Sequence, residues 1–159
     1  MSNRAVYRAW MLGLAIASAV SAGAGCASPP KQPATAEDAR QRTLLFNVTS
    51  GQEDVHAATM ALMAASNSLD AGWSTILYFN VHAAALASRN LSDSVALAGE
   101  RPVKELLAAA IAKGAKVFVC PHCMQVAGVK AEELVEGAKP AALQAVLDQL
   151  HGDVISLSY

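Results

Sequence analysis

From Thr43 onward, short apolar runs alternate with stretches whose apolar residues recur every three or four positions. The runs Thr43–Val48 (TLLFNV), Ser74–Asn80 (STILYFN), Lys116–Val119 (KVFV) and Asp153–Ser158 (DVISLS) have the length of strands and are too short for helices. Between them, Val55, Ala58, Leu62, Ala65 and Leu69 fall on one helical face. Val103, Leu106, Leu107, Ala110 and Ile111 do the same, as do Leu143, Val146, Leu147 and Leu150. His82–Ser88 is expected to add a shorter helix. Glu53 and Asp54 stand in a first turn, where carboxylates complement the helix dipole. Gly72, Gly114 and Gly152 follow the helices as terminators. Pro140 is expected in the first turn of the last helix, where its missing N–H costs nothing. Glu133–Glu136 reads as a further, weaker strand. Strands that are apolar without a break are buried on both faces, which is the condition of a parallel sheet between helix layers. The expectation is an α/β fold of three layers, with a parallel or mostly parallel sheet of about five strands flanked by helices.

The first residues follow a different rule. Arg4 and Arg8 precede the apolar stretch Trp10–Val20, and Ser21–Gly25 are all small, which is the arrangement of a signal peptide. The apolar stretch is shorter than the ~20 residues that span a bilayer. Ala24-Gly25-Cys26 resembles the end of a bacterial lipobox, so residues 1–26 are read as a signal peptide with a lipidation site at Cys26. Ordinary cleavage near Ala24 or Ala27 is the alternative. Residues 27–42 are rich in Pro, Ala and polar groups without an apolar period, as in a flexible tether. The domain proper is then 43–159. Export to the bacterial periplasm is expected, with lipid anchoring to the outer membrane implied by Ala27 after the lipobox cysteine.

The chain has a net charge of −1 and 5% aromatic residues, so it lacks both the basic stripe and the stacking platform of a nucleic-acid binder. Of three cysteines, one is Cys26; lipid there leaves Cys120 and Cys123 as the only thiols of the domain. They stand as Cys120-Pro121-His122-Cys123, directly after a strand, at the carboxyl edge of the expected sheet. Ligand and catalytic groups favour that edge. Backbone N–H groups of a following helix, and His122 when protonated, would stabilise a thiolate, which is the nucleophilic form. Three readings are open. The pair is a reactive thiol site, an inert disulfide or buried thiol pair, or part of a zinc site. Zinc usually takes four protein ligands; no second C-x-x-C exists, and nothing in the spacing draws in His56, His82 or His151. No metal or other cofactor is expected.

Other residues have weaker claims. His82, at the end of the second strand, shares a rim with Cys120 and either approaches the thiol or serves as a surface or capping residue. Thr49-Ser50-Gly51 before a helix is a candidate anion-holding turn, or plain turn chemistry. Met60, Met63 and Met124 do not group into a copper site, and Trp73 reads as packing. Asn47-Val48-Thr49 matches a glycosylation sequon but lies at the end of a buried strand.

Cys-Pro-His-Cys is also found in oxidising thioredoxin-fold proteins of the periplasm. In that fold much of the domain, including a cis-proline loop, comes after the motif, whereas here little chain follows Cys123. Residues 43–159 instead resemble the DsrE/DsrF-like family of small sulfur-handling α/β proteins. The resemblance rests on TLLFNVTSG and the helix after it, on Val103-Lys104-Glu105-Leu106-Leu107 with its Lys113-Gly114 end, and above all on Val117-Phe118-Val119-Cys120-Pro121-His122-Cys123 running to Gly128. Leu134-Val135-Glu136-Gly137 and the closing DVISLSY also fit. The resemblance implies a homo-oligomer, a trimer or hexamer, and a persulfide-carrying sulfur acceptor at Cys120 with Cys123 as an assisting or resolving thiol. It further implies a sulfur donor or acceptor protein as partner. Met124–Ala127 carry no charge where relay members often carry basic residues, so no particular relay partner is implied. Thiol–disulfide cycling of Cys120 and Cys123, or a non-enzymatic oligomeric interaction module, are the other functions left open.

Overall fold

The computed structural model describes residues 42–159. The expected signal peptide, the expected lipidation site at Cys26 and the expected tether up to residue 41 lie outside the described residues; Arg42, assigned to the tether, belongs to the first strand.

Strands β1 (Arg42–Val48), β2 (Ser74–Phe79), β3 (Lys116–Val119), β4 (Ala138–Pro140) and β5 (Asp153–Ser158) form one sheet in the order β4-β3-β2-β1-β5. Every pairing is parallel. The helices are α1 (Val55–Asp70), α2 (Val103–Ala112), α3 (Pro121–Ala127) and α4 (Leu143–Leu147), with 3-10 turns at Gln52–Asp54, Val81–Ala87 and Ala131–Glu133. Asp54 caps α1 by accepting the N–H of Ala57 at 3.0 Å.

Strand alternation divides the apolar side chains between two layers. On one face, Phe46, Val48, Leu77, Phe79, Val117 and Val119 pack beneath α1, α2 and the Val81–Ala87 turn. Ala58, Ala61 and Ala65 on α1 are fully buried, and their small side chains let that helix lie close to the sheet. Each large side chain buried here contributes on the order of 1.5–3 kcal/mol. The opposite face carries a smaller cluster, Ile76, Tyr78 and Phe118 with Ala141 and Val146, covered by the short α4. This is the expected parallel α/β architecture. Buried polar groups are used to fix register: the Ser68 and Thr75 hydroxyls hydrogen-bond at 2.7 Å, tying the end of α1 to the start of β2. At the other end of the sheet, the Tyr159 carbonyl accepts the Thr49 N–H and hydroxyl, both at 2.7 Å, and so closes the turn after β1.

Three local expectations are corrected. Pro140 is the last residue of β4, paired with Val119, and not the first turn of a helix. β4 lies at the sheet edge, where a missing N–H is tolerated. Glu133–Glu136 is no strand: Ala131–Glu133 is a 3-10 turn, Leu134 makes a single antiparallel bridge to Ser88, and the edge strand comes two residues after Glu136. The last helix, α4, stops at Leu147, three residues before Leu150. The short helix expected over His82–Ser88 is present, as a 3-10 helix at Val81–Ala87.

Candidate functional site

Because the sheet is parallel, β1, β2 and β3 end on one rim. Cys120 continues the ladder beyond β3, donating its N–H to the Phe79 carbonyl at 2.9 Å. It is also the cap of α3, with Pro121 at the first helical position and Gly128 closing the helix in the left-handed conformation. The Cys120 sulfur occupies the place that a capping oxygen takes elsewhere and accepts the Cys123 N–H at 3.4 Å. One helical turn brings Cys123 back over Cys120, and its thiol donates to Cys120 Sγ at 2.9 Å. Both cysteines are free and half-buried. Cys123 in turn accepts the backbone N–H of Val81 at 3.1 Å.

Tyr78 completes the site. It lies opposite Phe118 across β2 and β3, and Cys120 is two residues beyond Phe118, so parallel register places Tyr78 and Cys120 on the same sheet face. The Tyr78 side chain is buried on the face it shares with Cys120, and its hydroxyl helps to lower the Cys120 thiol. Burial, the bond to Cys120 and the nearby thiolate charge push this phenol up to about 12, so it stays a donor throughout the neutral range. Burial alone would raise the Cys120 thiol. It is outweighed by the bond from the Cys123 thiol, the Cys123 N–H, the Tyr78 hydroxyl and the His122 N–H, which together hold Cys120 below the ordinary cysteine range. Cys123 moves the opposite way. Burial and its bond to Cys120 raise it, the Val81 N–H opposes them, and the Cys120 charge raises it further. The two sulfurs are thus differentiated: Cys120 is the stronger acid of the pair and Cys123 the weaker.

His122 has its side chain in solvent, and its backbone N–H is the group that serves Cys120. His82 does not join the thiols. Its Nδ1 lies 2.9 Å from Glu53 Oε1, with the imidazole side chain 70% exposed. Glu53 also accepts the Gly51 N–H at 2.8 Å, so the Thr49-Ser50-Gly51 turn already holds an anion, the chain's own carboxylate. The Gly51 N–H, then Glu53's own N–H, lower the Glu53 carboxyl. A Cβ on Gly51 would stand 2.7 Å from both Glu53 Oε2 and the His82 carbonyl, so the turn requires glycine. Asn47, of the sequon, accepts from Asn80 and reaches Ser158. His56 is exposed on α1, and His151 sits against the Gln149 carbonyl at the other end of the sheet. Met124 is core and Trp73 carries the Arg42 guanidinium over its ring. Among the described residues, no three His, Cys, Asp or Glu side chains gather as a metal site.

Sequence reasoning missed Tyr78 and Val81. Strand register would have found Tyr78. Val81 shows no local signal, although it is the only non-glycine among the described residues with a left-handed backbone, at φ +49°.

A differentiated thiol pair on the carboxyl rim of a five-stranded parallel sheet defines a thiol-bearing α/β protein. The DsrE/DsrF-like family model matches residues 43–155, and the chain belongs to that family. Membership points to sulfur-related function. Among solved structures, the chain is similar to the YchN protein from E. coli, with a TM-score of 0.62 and 15% identity over 75% of this chain and 99% of that one. It is also similar to the protein of unknown function MTH1491 from Methanobacterium thermoautotrophicum, with a TM-score of 0.52 and 9% identity over 73% and 98% of the two chains. A third neighbour is the conserved protein of unknown function BT1422 from Bacteroides thetaiotaomicron, with a TM-score of 0.52 and 16% identity over 74% and 95%. At these identities the likeness is one of fold. A search among curated proteins finds no match.

Proposed function

We propose that this protein binds and transfers sulfane sulfur, carried as a persulfide on Cys120. The observation that carries the reading is the donor set converging on Cys120 Sγ, which favours its thiolate, within a family associated with sulfur chemistry. The Cys120 thiolate attacks the outer sulfur of a polysulfide or a donor persulfide. The donor's S–S bond breaks, its remaining sulfur leaves as a thiolate, and Cys120 holds the outer sulfur. An acceptor thiolate then attacks that outer sulfur and Cys120 leaves. A thiol held below its ordinary range is a good leaving group, so the same hydrogen bonds serve both halves of the transfer. Cys123 assists by donating to Cys120.

Thiol–disulfide cycling is a second reading, favoured by the contact between the two sulfurs. Intact mass after polysulfide treatment separates the two. With Cys26 replaced by serine throughout and the mass read at once after brief loading, sulfur transfer predicts that the parent and Cys123→Ser gain one sulfur atom and Cys120→Ser gains none. Equal gain by Cys120→Ser overturns the reading.

The envelope location and lipid anchor belong to the same proposal and rest on residues 1–26. Whole-protein mass of the native form would show lipid at Cys26. Homo-oligomerisation is proposed too, supported by the exposed Val154, Ile155 and Leu157 of the edge strand β5, and is tested by light scattering.

A further inference from the structure

We infer that Cys123 is a built-in discharging thiol, which attacks the inner sulfur of a Cys120 persulfide and releases the outer sulfur as hydrosulfide. The inference rests on the sulfur-carrying role of Cys120 proposed above. Two independent pieces of geometry carry it.

The first is the placement of the two sulfurs. Cys123 Sγ is 2.9 Å from Cys120 Sγ, so Cys120's own sulfur is within its reach without movement of α3. Attack there forms the bond of an intramolecular disulfide. The second is the Val81 turn. Val81 holds a conformation that β-branched residues rarely adopt, and half of the residue is exposed, so burial of the side chain does not account for it. What the turn achieves is to direct the Val81 N–H at Cys123 Sγ, at 3.1 Å. Strained backbone of this kind tends to persist where function uses it. A backbone donor aimed at a sulfur stabilises its anion, and Cys123 in the resting site is the protonated partner. The donor therefore prepares Cys123 for a later step.

Loading supplies that step. In the resting site Cys123 gives its proton to the bond with the Cys120 thiolate. Once the Cys120 sulfur is capped by a second sulfur, that anionic acceptor is lost, while the Val81 N–H remains. Cys123 then loses its proton and attacks. The reaction balances as persulfide on Cys120 plus thiol on Cys123 giving the Cys120–Cys123 disulfide plus hydrogen sulfide. The bond between the two persulfide sulfurs breaks, its electron pair leaves on the outer sulfur, and the Cys123 proton ends on that sulfur. The outer sulfur is reduced and the cysteine pair is oxidised by the same two electrons. An acceptor protein must take the sulfur before this happens, or else it leaves as sulfide. The oxidised pair is reopened by a dithiol reductant through thiol–disulfide exchange, so a reaction of that class must follow in sequence.

The experiment loads the full-length protein briefly with inorganic polysulfide, removes the excess, and follows intact mass and released sulfide over time. Parent, Cys123→Ser, Cys123→Ala and Cys120→Ser are compared, with circular dichroism confirming the fold. The parent is expected to lose the added sulfur, release one hydrosulfide per chain, and end two hydrogens lighter than the reduced form. Both Cys123 variants are expected to keep the added sulfur at least about tenfold longer. Equal loss from the parent and the Cys123 variants, or loss from the parent without disulfide, overturns the inference while leaving the Cys120 carrier intact. Loading of Cys120→Ser to the parent's level overturns the carrier reading itself.

Discussion

Replacing Tyr78 by Phe removes one hydrogen-bond donor to the Cys120 thiolate and almost nothing else. The ring stays packed among Ile76, Phe118, Ala141 and Val146, and the hydroxyl's partner is Cys120. Hydrogen bonds to charged groups are worth ~1.5–3 kcal/mol. A half-buried sulfur puts this one near the lower end, and ~1.4 kcal/mol corresponds to a tenfold change in the thiolate equilibrium. Well below the titration of Cys120, the variant should therefore hold roughly one tenth of the parent's thiolate. A weaker acid is a better nucleophile, with a Brønsted coefficient of about 0.4–0.5, which returns a factor of about three. The net expectation is alkylation about three- to fourfold slower at low pH and about threefold faster at high pH, with the two profiles crossing. Iodoacetamide alkylation in a background carrying both Cys26→Ser and Cys123→Ser, read by intact mass across pH, measures this on Cys120 alone. Below the Cys120 titration, where the thiol is protonated in both proteins, the melting temperature should move by less than about 2 °C, since packing is kept. Superimposable profiles would refute the role of Tyr78, and a variant slower at every pH would indicate a packing defect instead.

Cys123→Ser replaces the sulfur donor to Cys120 with a shorter hydroxyl, so the Cys120 titration should rise. Thiolate forms as pH rises through the Cys120 range, so the loss of alkylation rate should be largest on the acidic side and give way to a gain at high pH, as for Tyr78→Phe. Gly51→Ala forces a Cβ to 2.7 Å from a carbonyl and a carboxylate and should cost about 1–3 kcal/mol, seen as a lower midpoint in urea unfolding. Val81→Gly relieves a left-handed β-branched residue, worth ~1–3 kcal/mol, against ~0.4–1 kcal/mol of added chain entropy. It should raise the melting temperature by about 3–5 °C, and calorimetry would detect the opposite sign if the strain is not there.

The sheet was legible because its central strands are apolar on both faces, so TLLFNV, STILYFN and KVFV could hardly be anything else. The edges were not. Pro140 satisfies a helix start and an edge strand equally well, and only the pairing with Val119 decides between them. The position of Cys120 at a strand end was readable, and so was the following helix that Cys120 caps. The helix N–H groups expected to favour its thiolate do so, with His122 acting through its main chain rather than its imidazole. Tyr78 and the Val81 N–H were not readable, because one comes across from β2 by register and the other from the turn after it. His82, at the end of the second strand, shares a rim with Cys120 and so suggested a partner for the thiol, but Glu53 claims it across the turn.

Persulfide chemistry at Cys120 is tested most directly by locating the sulfur. The Cys123→Ser protein is loaded with polysulfide, trapped at once with an alkylating agent, digested, and the peptide containing both positions fragmented. The account predicts one added sulfur atom, on Cys120, in nearly every chain. An unmodified Cys120 under conditions that load a small-molecule thiol would contradict it.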